Sequence, residues 1–352
     1  MRISLSKADL SRVLSAVVKI PESRTTIPIL SNVLLSVEDG KLTVKATDLD
    51  IEASASIAVL DAVPGTTTVD AKLLDSIVKK AGGDISLELV DGTLVVKSGH
   101  AKWSLQTLPA SDYPDLNAGE FDVEFDVDLA ALVAPVSFAI STEETRYYLN
   151  GVFLHTADGK LVAVSTDGHR LARHIGQDSD DIPDVILPRK LVSLLPKGQV
   201  KLALSERKVR VTTPDAILTS KLIDGTFPDY QRVIPTGNDK LVSIEKDVLQ
   251  KAVERVSTVS TERGRAVRLN IDDGNVTLSV NSADHGSATE EVPAVYDDDA
   301  IEIGFNAAYL GELLSNLPGA TVRIALNDGG SPTLFTAEGN DALLAVLMPM
   351  RV

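Results

Sequence analysis

The chain contains no cysteine, which excludes a disulfide framework and thiolate metal sites and fits a reducing cytosol. Aromatic residues make up only 4% of its 352 positions, so the adjacent pair Tyr147-Tyr148 stands out. Long apolar runs are missing too: the longest, Leu129 to Ile140, falls well short of the roughly 18 residues a membrane span needs. The N-terminus shows no basic segment followed by an apolar stretch and a small-residue cleavage site, so no secretion signal is expected. There is no G-x-x-x-x-G-K-[ST] phosphate loop, and the chain is not expected to hydrolyse ATP. Positive charge is in short supply. A formal net charge of −16 argues against binding nucleic acid through one broad basic surface.

What is present is a soluble globular composition, 44% hydrophobic and 24% charged, on a length that suits two or three domains at about 150 residues each. One plan recurs three times. A helical face at Leu10, Leu14 and Val17 precedes strands at Val33 to Val37 and Leu42 to Ala46 joined at Asp39-Gly40, and then the loop Thr47-Asp48-Leu49-Asp50. Asp70 is placed to cap a second helix carrying Leu73, Leu74, Ile77 and Val78, and three more strands follow, ending at Asp112-Tyr113-Pro114-Asp115. The second copy has a helix over Leu129 to Ile140 bent by Pro135, a hairpin turning at Asp158-Gly159, and a helix opening at Pro188. The third has Val248, Leu249, Ala252, Val253 and Val256 on one face, a turn at Asp273-Gly274, and a helix opening near Asn306. The turn glycines recur at roughly 115 to 120 residues, the size of a small domain. The fold class expected is α+β: three tandem copies of a two-helix, antiparallel-sheet domain with about eight strands each, spanning 1–118, 119–240 and 241–352.

Most of the helices carry more Lys and Arg than Asp and Glu, whereas acid gathers in strands and loops such as Asp297 to Asp299. An acidic chain can therefore still present a basic helical surface. His169 beside Asp167, with His155 and His174 nearby, leaves open a general-base or metal site, although no nucleophile motif and no clustered ligand spacing completes one. Tyr147 and Tyr148 are read as strand neighbours pointing to opposite faces. A repeat-built scaffold without any DNA role is the third alternative.

Several short motifs, in order along the whole length, carry a resemblance. They are Arg24 with Ile27-Pro28-Ile29-Leu30, Arg146-Tyr147-Tyr148-Leu149-Asn150-Gly151, Thr166-Asp167-Gly168-His169-Arg170-Leu171, Pro188-Arg189-Lys190, Phe227-Pro228-Asp229-Tyr230, Gly304-Phe305-Asn306 and Met348-Pro349-Met350-Arg351. On the threefold repeat, the chain resembles the β subunit of bacterial DNA polymerase III, the replicative sliding clamp. That resemblance implies a non-catalytic processivity factor: a head-to-tail homodimer of six domains, with helices lining a hole that admits duplex DNA. It implies no cofactor, a cytoplasmic and nucleoid-associated location, and an external loader that opens the ring.

It also implies sites. A partner peptide pocket would be formed by Leu149, Thr166, Gly168, His169, Arg170, Leu171, Pro228, Val233, Val346 and Met348, with Asn306, Tyr309, Pro349, Met350 and Arg351 on its neighbouring side. The replicative polymerase, clamp loader, repair polymerases and ligase would compete for it through short motifs. Contacts to double-stranded and primed DNA would come from Arg24, Lys72, Tyr147, Tyr148, Arg189, Lys190 and Arg232. Trp103 and Leu105 would meet the partner's Thr258 and Val259, and Lys97 and Lys102 would face Asp284, Glu290 and Glu291. The sequence departs from the family at Asp328-Gly329-Gly330-Ser331-Pro332, where a bulkier apolar residue is common, implying a wider pocket edge near Gly330.

Overall fold

Turn and cap residues delimit the elements much as their chemistry dictates. The computed structural model describes residues 1–22, 25–60, 62–116, 119–260 and 266–351. The first copy holds β1 (Arg2–Leu5), α1 (Lys7–Val17), β2 (Asn32–Glu38), β3 (Lys41–Thr47), β4 (Ile51–Ala58), β5 (Gly65–Asp70), α2 (Ala71–Lys80), β6 (Ile85–Val90), β7 (Thr93–Ser98) and β8 (Ala101–Leu108). The second holds β9 (Val123–Val127), α3 (Leu129–Val133), β10 (Gly151–Ala157), β11 (Lys160–Thr166), β12 (Arg170–Asp178), β13 (Val185–Pro188), α4 (Arg189–Leu194), β14 (Val200–Leu204), β15 (Lys208–Thr212) and β16 (Ala216–Lys221). The third holds β17 (Lys240–Glu245), α5 (Lys246–Val256), β18 (Ala266–Asp272), β19 (Asn275–Ser282), β20 (Gly286–Pro293), β21 (Ile301–Asn306), α6 (Ala307–Asn316), β22 (Thr321–Leu326), β23 (Thr333–Ala337) and β24 (Asn340–Leu347). Among the described residues each copy thus has two helices and eight strands, as the sequence reading expects.

The strand order repeats as well. In every copy the first, sixth, seventh and eighth strands lie side by side, and so do the fifth, second, third and fourth. Copies are then stitched by strand pairing. The fourth strand of the first copy pairs with the eighth of the second, Ile51 opposite Ser220 through Ala55 opposite Ala216. One copy on, β12 pairs with β24 in the same way, Arg170 opposite Leu347 through His174 opposite Leu343. Because sheets run across copy borders, the compact units are out of phase with the repeats. One unit comprises Met1–Asp128 and Leu194–Leu222 with a 12-stranded sheet; the other comprises Leu129–Ser193 and Ile223–Val352 with sheets of eight and four strands.

Local chemistry accounts for the helices. Ser6 caps α1 by accepting from the backbone N–H of Asp9, and Leu10, Leu14 and Val17 are fully buried. Asp70 caps α2 through the N–H of Leu73 at 2.7 Å, but Leu73 itself is 48% exposed, a correction to the apolar face read from sequence. Leu74, Ile77 and Val78 share the core stripe at i, i+3 and i+4, and Leu73 lies one step, about 100°, off the leading residue of that stripe. The single bent helix expected over Leu129 to Ile140 is instead broken before Pro135: α3 stops at Val133 and a 3₁₀ segment, Ala134–Ala139, takes over, because proline cannot donate the helical hydrogen bond. The hairpin turns at Asp39-Gly40 and Asp158-Gly159 place both residues at positive φ, between 49° and 70°.

The aromatic pair corrects a second expectation. Tyr147 and Tyr148 lie in a kinked 3₁₀ segment, Glu144–Leu149, rather than in a strand. The tighter turn sets their rings edge to face at 5.8 Å, on neighbouring rather than opposite sides.

Tyr113 illustrates how the loops that close the sheets are fastened. Its hydroxyl donates to the carbonyls of Asn32 and Lys45, both at 3.2 Å, and burial pushes the phenol above its ordinary value. Burial pushes Tyr230 the same way. In the unfolded chain these phenols lose their protons near pH 10, before the folded chain does. Their contribution to stability is thus fully present below that pH and is lost as pH rises through the folded values. Thermal melting between pH 8 and 11, followed with tyrosinate absorbance, should show stability falling above about pH 10. It should show the Tyr113 signal appearing only with unfolding. Free titration of all six tyrosines in the folded protein would refute this.

Candidate functional site

Two segments of the second unit converge where β12 pairs with β24. The first is the turn from β11 into β12. Thr166 Oγ1 donates to the Arg170 carbonyl at 2.7 Å and accepts from the Gly168 N–H at 3.1 Å, while Asp167 Oδ1 accepts from the N–H groups of His169 (2.9 Å) and Arg170 (3.1 Å). The turn is rigid because its own side chains satisfy its backbone. The second segment is the end of β24, where the Met348 N–H donates to the His169 carbonyl at 2.8 Å. Together they enclose a pocket of about 260 Å³.

Its floor is a buried cluster that includes Leu149, Leu171, Val346, Phe227 and Tyr230. All ten residues assigned to the pocket from sequence line it: Leu149, Thr166, Gly168, His169, Arg170, Leu171, Pro228, Val233, Val346 and Met348. Two further residues line it, Arg146 and Tyr148. Sequence reasoning assigned Tyr148 to DNA and gave Arg146 no place. The one available signal was their position directly before Leu149.

Charge is concentrated on one side. Arg170, 8% exposed, pairs with Asp167 Oδ2 at 3.1 Å and with Glu312 of α6 at 2.6 Å, and its guanidinium lies 4.3 Å from the Tyr309 ring centroid and 5.3 Å from that of Phe138. Arg146 forms a two-point pair with Glu143, at 2.8 and 2.7 Å, and that contact holds the Glu143 carboxyl below its usual range. An apolar floor whose bordering guanidinium groups are already paired suits a short segment bearing aliphatic side chains.

Glycine is favoured at position 168 by both shape and conformation. Its φ is +89°, and a Cβ there would lie 2.6 Å from Arg146 Nη1. Gly168→Ala should therefore cost roughly 1–2 kcal/mol in backbone strain and displace Arg146 from the pocket. Pocket affinity measured by fluorescence anisotropy should fall while the fold persists. Unchanged affinity would show that Arg146 does not contribute.

The remaining expectations distribute as follows. Tyr309 lies behind the pocket, stacked near His169 at 6.1 Å and under Arg170; the Asn306 side chain caps α6; the Met350 N–H donates to the Gly304 carbonyl. Pro349 is half-buried and Arg351 exposed. Gly330 is exposed and is not among the residues lining this pocket. The histidines have separate duties. His155 Nε2 bonds the Tyr230 hydroxyl at 3.0 Å, His174 Nδ1 bonds the Leu132 carbonyl at 2.8 Å, and Asp167 is committed to Arg170 and to backbone rather than to the His169 ring.

Arg24 lies outside the described residues. Lys72 on α2 and Arg189 at the start of α4 are exposed, and Lys190 is half-buried. Tyr147 is 54% exposed, and Arg232 is exposed and paired with Asp229 at 2.8 Å. Trp103 is half-buried and Leu105 buried on β8; Thr258 is exposed and Val259 half-buried beside α5. Glu290, expected to meet a partner's lysine, is already held by Arg255 of its own chain, leaving Asp284 and Glu291 as exposed carboxylates.

Three family models cover nearly the whole length: the DNA polymerase III beta subunit N-terminal domain over residues 1–117, its central domain over 126–229 and its C-terminal domain over 231–351. The chain is 42% identical to the beta sliding clamp of Caulobacter vibrioides, 37% to that of Pseudomonas aeruginosa and 34% to that of Escherichia coli, in each case over 100% of both chains. Its structure is similar to that of the Bartonella birtlesii sliding clamp bound to griselimycin, at a TM-score of 0.96, 42% identity and full coverage of both chains. A Pseudomonas aeruginosa clamp with ligand matches at a TM-score of 0.95 and 36% identity, again over both full lengths. The chain belongs to the DNA polymerase III β-subunit family, the β sliding clamps.

Proposed function

We propose that two copies of this chain close head to tail into a ring around duplex DNA. One observation carries this: the same seam is made twice within the chain and its two halves are left over at the ends. The fourth strand of one copy pairs with the eighth of the next at β4 with β16 and at β12 with β24. The third such pairing would join β20, an open sheet edge, to β8, whose outer side is unpaired among described residues apart from its last two positions against β5. Among the described residues no third seam forms within one chain, so a second copy supplies it. Trp103 and Leu105 on β8 and Thr258 and Val259 beside β20 then fall at the junction. Leu105 is only 6% exposed, so its strand offers backbone edge rather than side chain. The repeats also support three domains with limits near 118 and 240.

On this reading Lys72, Arg189, Lys190, Arg24 and Arg232, with Tyr147 and Tyr148, meet phosphate and sugar, which carry no sequence information. The net charge of −16 keeps affinity low, so the ring stays on DNA by topology and slides. The pocket tethers the replicative polymerase, the loader and repair enzymes in turn through short peptides. The chain acts in the cytoplasm as a non-catalytic processivity factor, and a separate ATP-driven loader opens it.

The test is retention on circular primed DNA after loading by a compatible loader with ATP. The protein should remain on closed circles and be lost when the circle is cut. Retention on linear DNA would mean binding by affinity and would refute the sliding mechanism. Arg189→Glu with Lys190→Glu should reduce loading several-fold without changing the dimer fraction in sedimentation.

A further inference from the structure

The seam between the first and second copies carries a counterpart of the peptide pocket, built on the same backbone. Thr47 Oγ1 donates to the Ile51 carbonyl at 2.9 Å and accepts from the Leu49 N–H at 3.0 Å; Asp48 Oδ1 accepts from the N–H groups of Asp50 (2.9 Å) and Ile51 (2.7 Å). These are the four bonds of the Thr166 to Arg170 turn, residue for residue. The Lys221 N–H donates to the Asp50 carbonyl at 2.8 Å, as the Met348 N–H does to that of His169. Pro114 stands where Pro228 does. Between these groups lies a cleft of about 460 Å³, lined by Thr47, Leu49, Pro114, Asp115, Leu116, Lys208 and Lys221.

Two replacements change its chemistry. Leu49 takes the place of Gly168 and keeps the glycine-type backbone, at φ +80°. A leucine in that region is strained, and its side chain remains 39% exposed at the cleft. Lys221 takes the place of Met348 and puts an exposed cation where the first pocket has a thioether, while Lys208 reaches the Leu116 carbonyl at 3.5 Å. Lys221 is paired with Asp50 at 3.0 Å, but both side chains are more than half exposed, so the pair is weak and a competing carboxylate displaces it at little cost. Lys45 next to the cleft reaches Asp115 at 3.3 Å and Glu52 at 3.2 Å.

We propose that this cleft is a second docking site, for a short acidic peptide whose aliphatic side chain packs on Leu49 while a carboxylate meets Lys221. Lys221 selects acid where the first pocket selects apolar residues, and Leu49 is the anchor. The ligand class, a peptide, rests on the reading of the first pocket; the location of the second does not.

The test is methyl NMR on the full-length protein labelled at leucine and methionine methyls, titrated with the acetylated, amidated tetrapeptide Glu-Leu-Glu-Leu at low salt. The Leu49 methyls should shift saturably, and Lys221→Glu should weaken that binding by roughly fivefold or more while leaving the response of Met348 unchanged. Leu49 methyls that stay still while Met348 saturates would overturn the proposal and keep the first pocket. A Leu49 response with Met348 silent would support the second site and count against the peptide reading of the first. A Leu49 shift insensitive to Lys221→Glu and to added salt would overturn the charge recognition on which the proposal depends.

Discussion

Arg170→Ala should lower both unfolding free energy and pocket affinity. The Arg170 side chain is 8% exposed, and its partner Asp167 is 14% exposed, so removing the guanidinium leaves a largely desolvated carboxylate without its counter-ion. Two backbone N–H bonds still reach Asp167, which limits the damage, and Glu312, 54% exposed, returns to water. With that exposed half discounted, the loss should be about 3 kcal/mol, read as a lower urea midpoint at unchanged slope. Arg170→Lys should recover only part of it. An ammonium keeps the charge but not the planar fork that spans Asp167 and Glu312, nor the stacking on Tyr309 and Phe138. Peptide affinity should follow the same order, because Arg170 fixes the position of the turn that forms the pocket wall. Wild-type stability in the alanine variant would show that the charge cluster contributes nothing net.

Phe335→Ala should be the most destabilising single truncation in the third copy. Phe335 on β23 and Phe305 on β21 are both fully buried and meet edge to face, with centroids 5.9 Å apart at 68°. β23 belongs to the eight-stranded sheet and β21 to the four-stranded sheet, so the pair joins the two layers across the core. Truncation to alanine leaves a cavity and removes the ring contact, an expected cost of about 3–5 kcal/mol. Phe335→Leu should cost less because it retains most of the volume. Since β23 pairs with β24, which carries Val346 to the pocket, affinity should fall as packing loosens. Guanidinium unfolding together with peptide titration checks both effects; a loss below about 1 kcal/mol would mean that the sheets close over the gap.

The hairpin turns and most helix positions were legible locally. Asp-Gly pairs supplied positive φ at Asp39-Gly40 and Asp158-Gly159, the apolar stripe of α1 matched its buried face, and Asp70 capped α2, whereas the helix read as bent at Pro135 is broken there. The ten residues grouped by motif resemblance line one cleft in the structure. Arg146 was missed because a kink with non-helical φ and ψ at that residue turns it toward Gly168, and such a kink leaves no periodic mark. The tyrosine pair was misread for the same reason.

By itself the sequence determined the threefold plan, the turn chemistry and the family, because those depend on residue type and on short spacings along the chain. The tertiary structure alone decided that β4 joins β16 and β12 joins β24, that the compact units therefore cut across the repeat, and that Leu49 and Lys221 replace Gly168 and Met348 in a second cleft. Those features depend on which sheet edges remain open to pair, a property of assembled strands rather than of any one segment.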